Sequence, residues 1–343
     1  MRKKYVIAYL RDSGLKDITK KDALKLTHIN IAFAKIDDCE IYTKLKKLDQ
    51  LDKIRTFNPN LTILISIGGW GAGGFSEASS NPINRRLFVK NAITFMHTHK
   101  LDGIDLDWEY PCYSVAGIDS SPADKENFTL LLEEFRNQLD IEENKYNKHF
   151  LLTIAAGADK YYTDATEMNK AHNYLDYVQL MTYDLRGGFQ ILTGHHTNLY
   201  NSTGDIFRIS TDSSVKLFIE SGVPKEKLVI GSAFYARAWR YVPNFNNGLF
   251  QMAKTVGLFG GNYDVLESNF INKNGFKRYW DNEAKAPYLF NGFDFLSYDD
   301  EESLEHKCNY LKRNNLLGMM FWHYSADSTG TLLNKIYKEL IKI

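Results

Sequence analysis

Short apolar runs rich in β-branched residues recur along this chain, separated by longer stretches with helical periodicity, and this alternation constrains the fold more than any other feature. The runs Tyr5–Leu10, His28–Lys35, Thr62–Gly68, Gly103–Tyr110, Phe150–Ala156, Tyr177–Asp184, Leu228–Tyr235 and Gly318–Tyr324 are predicted to be strands. Between them, Asn84–His99, Ala123–Asp140, Asp212–Ser221 and Ser303–Asn314 each carry charge on one side and are predicted to be helices. Asn81-Pro82 and Ser121-Pro122 are helix-opening pairs, and Gly222 stands where a helix should end before Pro224. Eight strands alternating with helices predict an α/β fold, a (β/α)8 TIM barrel. One connection breaks the rhythm, because roughly sixty residues separate the seventh strand from the eighth, far more than a βα loop needs. Residues 240–297 are therefore expected to form a small α+β insertion, rich in aromatic side chains. The barrel is expected to take 1–239 and 298–343.

Charge and cysteine content narrow the function. Lys plus Arg equals Asp plus Glu at 42 each, so no net field would draw in nucleic acid or an anionic membrane surface. No apolar run approaches membrane-spanning length. Cys39, Cys112 and Cys308 lie far apart without a Cys-x-x-Cys pair, which suggests free structural thiols rather than a disulfide framework or a zinc site. Met1-Arg2-Lys3-Lys4 leads within a few residues into Tyr5–Leu10, too short a run for a signal peptide. A cytoplasmic location is expected for the sequence as written, with secretion open if the chain is a mature portion.

The stretch Leu101-Asp102-Gly103-Ile104-Asp105-Leu106-Asp107-Trp108-Glu109-Tyr110-Pro111 carries the chemistry. Side chains alternate along a strand, so Asp105, Asp107 and Glu109 share one face and Ile104, Leu106 and Trp108 the other. With the apolar face against the outer helices, three acids point into the barrel, and burying them together is costly unless they share protons and hydrogen bonds. A solvated edge strand would show the same alternation, but this strand lies mid-chain in a parallel pattern buried on both sides. Glu109 also lies at the C-terminal end, where barrel enzymes place their chemistry. A calcium loop fails, since the sixth and twelfth places counted from Asp105 hold Tyr110 and Ala116. No His or further acid at ligand spacing completes a metal site, and no cofactor fingerprint appears, because Gly68-Gly69-Trp70-Gly71 lacks the spacing and the Lys of a phosphate loop. His195-His196 has no Ser or Cys nucleophile in a recognisable elbow.

The acid spacing D-x-x-D-x-D-x-E followed by Tyr110-Pro111 resembles the active-site motif of glycoside hydrolase family 18, the chitinases. The likeness continues through Tyr9, Leu26–Ala34, Ser66-Ile67-Gly68-Gly69-Trp70, Met181-Thr182-Tyr183-Asp184, Phe234-Tyr235-Ala236-Arg237 and Gly318-Met319-Met320-Phe321-Trp322, and the insertion sits where the deep-cleft branch carries one. The chain departs from the family's usual residues at Ala233, Ala236, His323 and Leu10-Arg11, away from the acids. What the resemblance implies is retaining, substrate-assisted hydrolysis of β-1,4 bonds between N-acetylglucosamine units in chitin or chitooligosaccharides. Glu109 would be the general acid, raised by its anionic neighbours. Asp107 would orient the acetamido group and share a proton with Asp105, and Tyr183 would donate to the acetamido oxygen. Asp184 and Trp322 would bind the sugar in subsite −1, with Tyr9, Phe33 and Met181 shaping its walls. Trp70, Tyr110 and Arg237 would serve subsites further out. Taken singly, Phe33 and Met181 would equally be core residues. Two other readings stay open: an endo-β-N-acetylglucosaminidase acting on N-glycans or peptidoglycan, and a non-catalytic chitin-binding lectin, which would be expected to have lost Glu109. A monomer acting on a saccharide partner, without metal or cofactor, is expected.

Overall fold

The computed structural model describes residues 4–342; the expected barrel's Met1, Arg2, Lys3 and Ile343 lie outside the described residues. Eight strands, Tyr5–Arg11, His28–Asp37, Thr62–Gly68, Gly103–Asp107, Leu151–Gly157, Tyr177–Met181, Leu228–Ala233 and Gly318–Trp322, pair in parallel in chain order. The last closes on the first through Tyr5↔Gly318, so the sheet is a TIM barrel without a free edge.

Four strands stop short of their expected ends. The fourth ends at Asp107 rather than Tyr110, the sixth at Met181, the seventh at Ala233 and the eighth at Trp322. Beyond these ends the chain leaves the regular ladder, whose last contact on the fourth strand is Gly69 N donating to Asp107 O at 2.8 Å. Non-proline cis peptide bonds follow two of these ends, at Glu109–Tyr110 and Trp322–His323, and another lies within the second strand at Ala32–Phe33. Strand Glu40–Thr43, unexpected from the sequence, folds back antiparallel on the second strand. Its two-residue turn places Asp38 and Cys39 at φ 47° and 62°, a hairpin turn usually marked by Gly and here carried without it.

The helices follow their caps. Asn81 accepts from the N–H groups of Ile83 and Asn84 and opens Pro82–Thr98 with proline in its first turn. Ser121-Pro122 does not open the next helix, which runs Asp124–Tyr146. The buried Asp124 carboxylate instead accepts from Ser121 N at 2.7 Å and Cys112 N at 3.2 Å, tying the loop after the fourth strand to the helix start. Gly222, at φ 95°, ends Thr211–Glu220, and Val223 N returns to Phe218 O.

Apolar side chains fill two layers. Outside the barrel, Ile104, Leu106 and Trp108 pack under the helices; Trp108 stacks on Phe75 at 5.2 Å and meets Phe128 edge-on at 5.6 Å. Inside, Ile7, Tyr9, Tyr177, Met181, Val229 and Met320 form a smaller cluster. A second, antiparallel sheet between the seventh and eighth barrel strands is built from Tyr235–Arg240, Leu258–Asn262, Lys277–Asp281, Ala286–Phe290 and Asp294–Ser297, around Trp239, Tyr288, Phe290 and Phe295. Its first strand starts at Tyr235, one residue past Phe234, so the chain passes almost directly from barrel to second sheet.

Candidate active site

The site begins with a polar layer across the middle of the barrel. Tyr9, Asn30, Ser66, Asp105, Thr153 and Gln179 come from six strands, and all are buried. Register makes Ser66, Asp105 and Thr153 lateral neighbours. Asp105 receives four hydrogen bonds: Tyr9 Oη at 2.8 Å and Ser66 Oγ at 2.7 Å donate to Oδ2, Thr153 Oγ1 at 2.6 Å and Gln179 Nε2 at 2.9 Å to Oδ1. Asn30 Nδ2 donates to Gln179 Oε1 at 3.0 Å and fixes which end of that amide faces the acid. Burial raises the Asp105 carboxyl above its usual value, with Thr153, Ser66, Tyr9 and Gln179 opposing it. The four donors replace part of the lost water and favour the anionic form of Asp105.

Asp107 and Glu109 stand above this layer. Among the described residues no hydrogen bond joins Asp107 to Asp105, contrary to the expected shared proton, because Asp105 is filled by its own donors. Asp107 Oδ1 is buried without a partner. Burial, Glu109 and Asp105 raise the Asp107 carboxyl well above the usual range, against a lowering by Lys35, so of the two aspartates Asp107 keeps a proton to higher pH. Glu109 is pushed up to about 7. Burial is the largest cause; Asp184 adds to it, while Tyr110 and Lys35 oppose it. The anionic neighbours expected from the sequence are therefore secondary to the loss of water.

Aromatic rings line the cavity beside these acids. Trp322, at the end of the eighth strand, stacks on Phe33 at 5.4 Å and 17° and meets Tyr9 at 5.8 Å, giving a flat apolar floor. Met181 joins Tyr9 and Met320 in the inner cluster, and Tyr183 Oη points to Met320 Sδ at 3.8 Å. Burial keeps the Tyr183 phenol well above its usual value, with Asp107 and Glu109 adding to it, so it remains a donor. Asp184 sits just past the sixth strand at φ 53°. Arg237, from the second sheet, holds it with Nε at 2.6 Å and Nη2 at 2.5 Å. Burial would raise the Asp184 carboxyl, but His196 and Arg237 outweigh it and hold it well below the usual range. Trp70 is exposed and meets Tyr110 at 6.4 Å, and Tyr110 packs on Tyr161 at 5.0 Å.

The structure thus brings Phe33, Asp107, Glu109, Tyr183, Asp184, Arg237 and Trp322 together above the layer that holds Tyr9 and Asp105, with Trp70, Tyr110 and Met181 beside them. Sequence reasoning missed Ser66, Thr153 and Gln179, although each is a polar residue inside an otherwise apolar barrel strand, which was a signal. It also missed Lys35 and the exposed Phe189, whose ring lies 6.4 Å from Trp70. Phe189 follows the sixth strand in a glycine-containing loop with no periodicity to reveal it. Among the described residues no group of three or more His, Cys, Asp or Glu is placed to hold a metal ion, and no helix is long and apolar enough to cross a membrane.

Comparison with known proteins agrees with this geometry. The family model of the glycosyl hydrolases family 18 matches residues 5–327. Chitinase A1 of Niallia circulans is 38% identical over 310 residues, 85% of this chain, and chitotriosidase-1 of Mus musculus is 31% identical over 331 residues, 90% of this chain. The chain spans 44% of the length of the first and 69% of the second. A solved structure of a family 18 N-acetylglucosaminidase from Paenibacillus barengoltzii superposes with a TM-score of 0.97 at 54% identity, covering 98% of this chain and all of that one.

Proposed function

The chain belongs to glycosyl hydrolase family 18, and from that premise we propose that it hydrolyses the β-1,4 bonds between N-acetylglucosamine units of chitin or chitooligosaccharides with retention of configuration. The observation that carries this reading is the column of Asp105, Asp107 and Glu109 beside the Trp322 floor, with Glu109 raised to about 7 and so able to give up a proton near neutrality. Glu109 protonates the glycosidic oxygen as the bond to the leaving sugar breaks. The 2-acetamido carbonyl of the sugar over Trp322 attacks the anomeric carbon and closes an oxazolinium ion. Asp107 and Tyr183 hold that acetamido group, and the anionic Asp105 below them favours the positive charge as it develops. Water then attacks the anomeric carbon from the face the leaving sugar left, opposite the oxazolinium oxygen, and gives its proton to Glu109, so that the configuration is retained. Every group in this scheme comes from one chain, so a monomer suffices.

A second reading concerns chain-end action. The Paenibacillus barengoltzii relative is an N-acetylglucosaminidase, which favours release of single N-acetylglucosamine units from short oligosaccharides over internal cuts. The product profile from N-acetylglucosamine oligomers of increasing length separates the two.

The mechanism itself is tested through the substrate. If the acetamido carbonyl is the nucleophile, oligomers lacking the N-acetyl group should bind without being cleaved, and a thiazoline analogue of N-acetylglucosamine should inhibit, because the stabilisation given by Asp107 and Tyr183 needs a group that only the acetylated sugar carries. Equal hydrolysis rates for deacetylated and acetylated oligomers, or a covalent glycosyl adduct on Asp107, would overturn it.

A further inference from the structure

Lys35 carries a charge at this end of the barrel that the reaction above does not use. It lies two residues after Phe33 on the second strand, on the same face, so its stem follows that ring into the mouth. Its Nζ donates to Gly68 O at 3.0 Å and stands 5.8 Å from the centre of the Phe33 ring, the ring stacked on Trp322. Gly68 is pressed against the acid strand: the two residues pair in register, and a Cβ on Gly68 would lie 2.0 Å from Asp107 O. The next residue, Gly69, donates its N–H to that same oxygen at 2.8 Å. The ammonium is therefore anchored to the peptide that abuts Asp107, beside the Phe33 ring. Among the described residues it makes no direct ion pair, whereas the neighbouring cation, Arg237, is fully engaged by Asp184.

Resting on the reading that Glu109 is the general acid, we infer that Lys35 is a positioning residue that acts through the acids: its charge lowers the pH at which Glu109 and Asp107 release their protons. The groups facing this pair bear the inference out in kind. Around Glu109 are Asp107 on its own strand, Asp184 after the sixth strand, and the phenols of Tyr110, Tyr161, Tyr162 and Tyr183. Around Asp107 are Asp105, Glu109 and the phenol of Tyr9. Apart from Lys35 these are acids or neutral phenols. Burial lowers Lys35, and Asp107 and Glu109 in turn raise it, as reciprocal interaction demands.

The sign follows directly. A cation favours the anionic forms, so removing it leaves Glu109 protonated to higher pH and moves the alkaline limb of kcat/KM upward. The test compares pH profiles of kcat/KM on chitotriose for the wild type, K35Q, K35M and K35R. K35Q keeps an N–H donor for Gly68 O without the charge, and K35R keeps the charge. The limb should rise by roughly half a pH unit or more in K35Q and K35M, a smaller effect than the roughly one to three units of an opposite charge in direct contact, and stay at the wild-type position in K35R. Because a limb's midpoint does not depend on how much enzyme is folded, a merely structural role leaves it unmoved. An unmoved limb in K35Q and K35M, or an equal shift in K35R, overturns the inference about Lys35 and leaves Glu109 as the acid. A wild-type profile without an alkaline limb overturns both.

Discussion

At the scale of single residues, the acids divide by how each is solvated. Asp105 lost its water and gained four protein donors, which favour its charged form. Glu109 lost its water and gained no such set, so it keeps its proton up to about 7. Two carboxyls on one strand face thus differ in how firmly each keeps its proton because their surroundings differ. Glu109→Gln keeps the shape and discards the transferable proton. It should lower kcat on chitotriose by about two to four powers of ten while sugar binding, read by tryptophan fluorescence, stays near the wild type. Since the acid form is the active one and Glu109 titrates near 7, wild-type kcat/KM should fall as pH rises through that value. Near wild-type turnover in the variant would remove Glu109 from the mechanism. This division was only half legible in the sequence. The parity of the three acids was readable, but the donors that make Asp105 different lie 39, 48, 74 and 96 residues away along the chain.

At the scale of elements, strand parity did most of the work. A period of two places Ile104, Leu106 and Trp108 opposite the acids, and the structure has all three buried beneath the helices. The parity persists through Glu109 although the strand itself stops at Asp107, because Trp108 is locked between Phe75 and Phe128 and fixes the direction of its neighbours. Trp108→Ala should therefore cost about 3–5 kcal/mol of stability, as large-to-small changes of buried aromatics do. Thermal or denaturant unfolding should show that loss, and any protein still folded should retain the wild-type pH limb. A stable variant with a displaced limb would mean that Trp108 faces the acids. What sequence could not supply at this scale were features without periodic signal. The hairpin at Asp38-Cys39 turns without glycine, and the strand from Tyr235 follows the seventh barrel strand without a loop of turn residues to mark it.

At the scale of the whole molecule, an ion pair in the cleft joins the barrel to the second sheet. Asp184 belongs to the barrel and Arg237 to the first strand of the second sheet, and their two-point contact crosses from one to the other. Arg237 is held in turn by register with Ser297 and Phe259. The second sheet therefore helps to orient a barrel residue as well as walling the cleft. Asp184 is the side that needs help: its backbone is in the left-handed region, and burial works against its charge. Arg237→Ala removes the fork that outweighs that burial, so the Asp184 carboxyl should titrate upward and turn less firmly toward the sugar. Arg237→Lys keeps the charge but cannot hold both oxygens in one plane, so it should repair the titration better than the orientation. The expected outcome is a KM for chitotriose raised about tenfold in Arg237→Ala, the equivalent of about 1.4 kcal/mol in binding. A smaller rise is expected in Arg237→Lys, and unfolding temperature should change little in either because the pair is partly open to solvent. Steady-state kinetics beside thermal unfolding separates the possibilities. A large loss of stability with unchanged KM would make the pair a structural tie between the two sheets and nothing more.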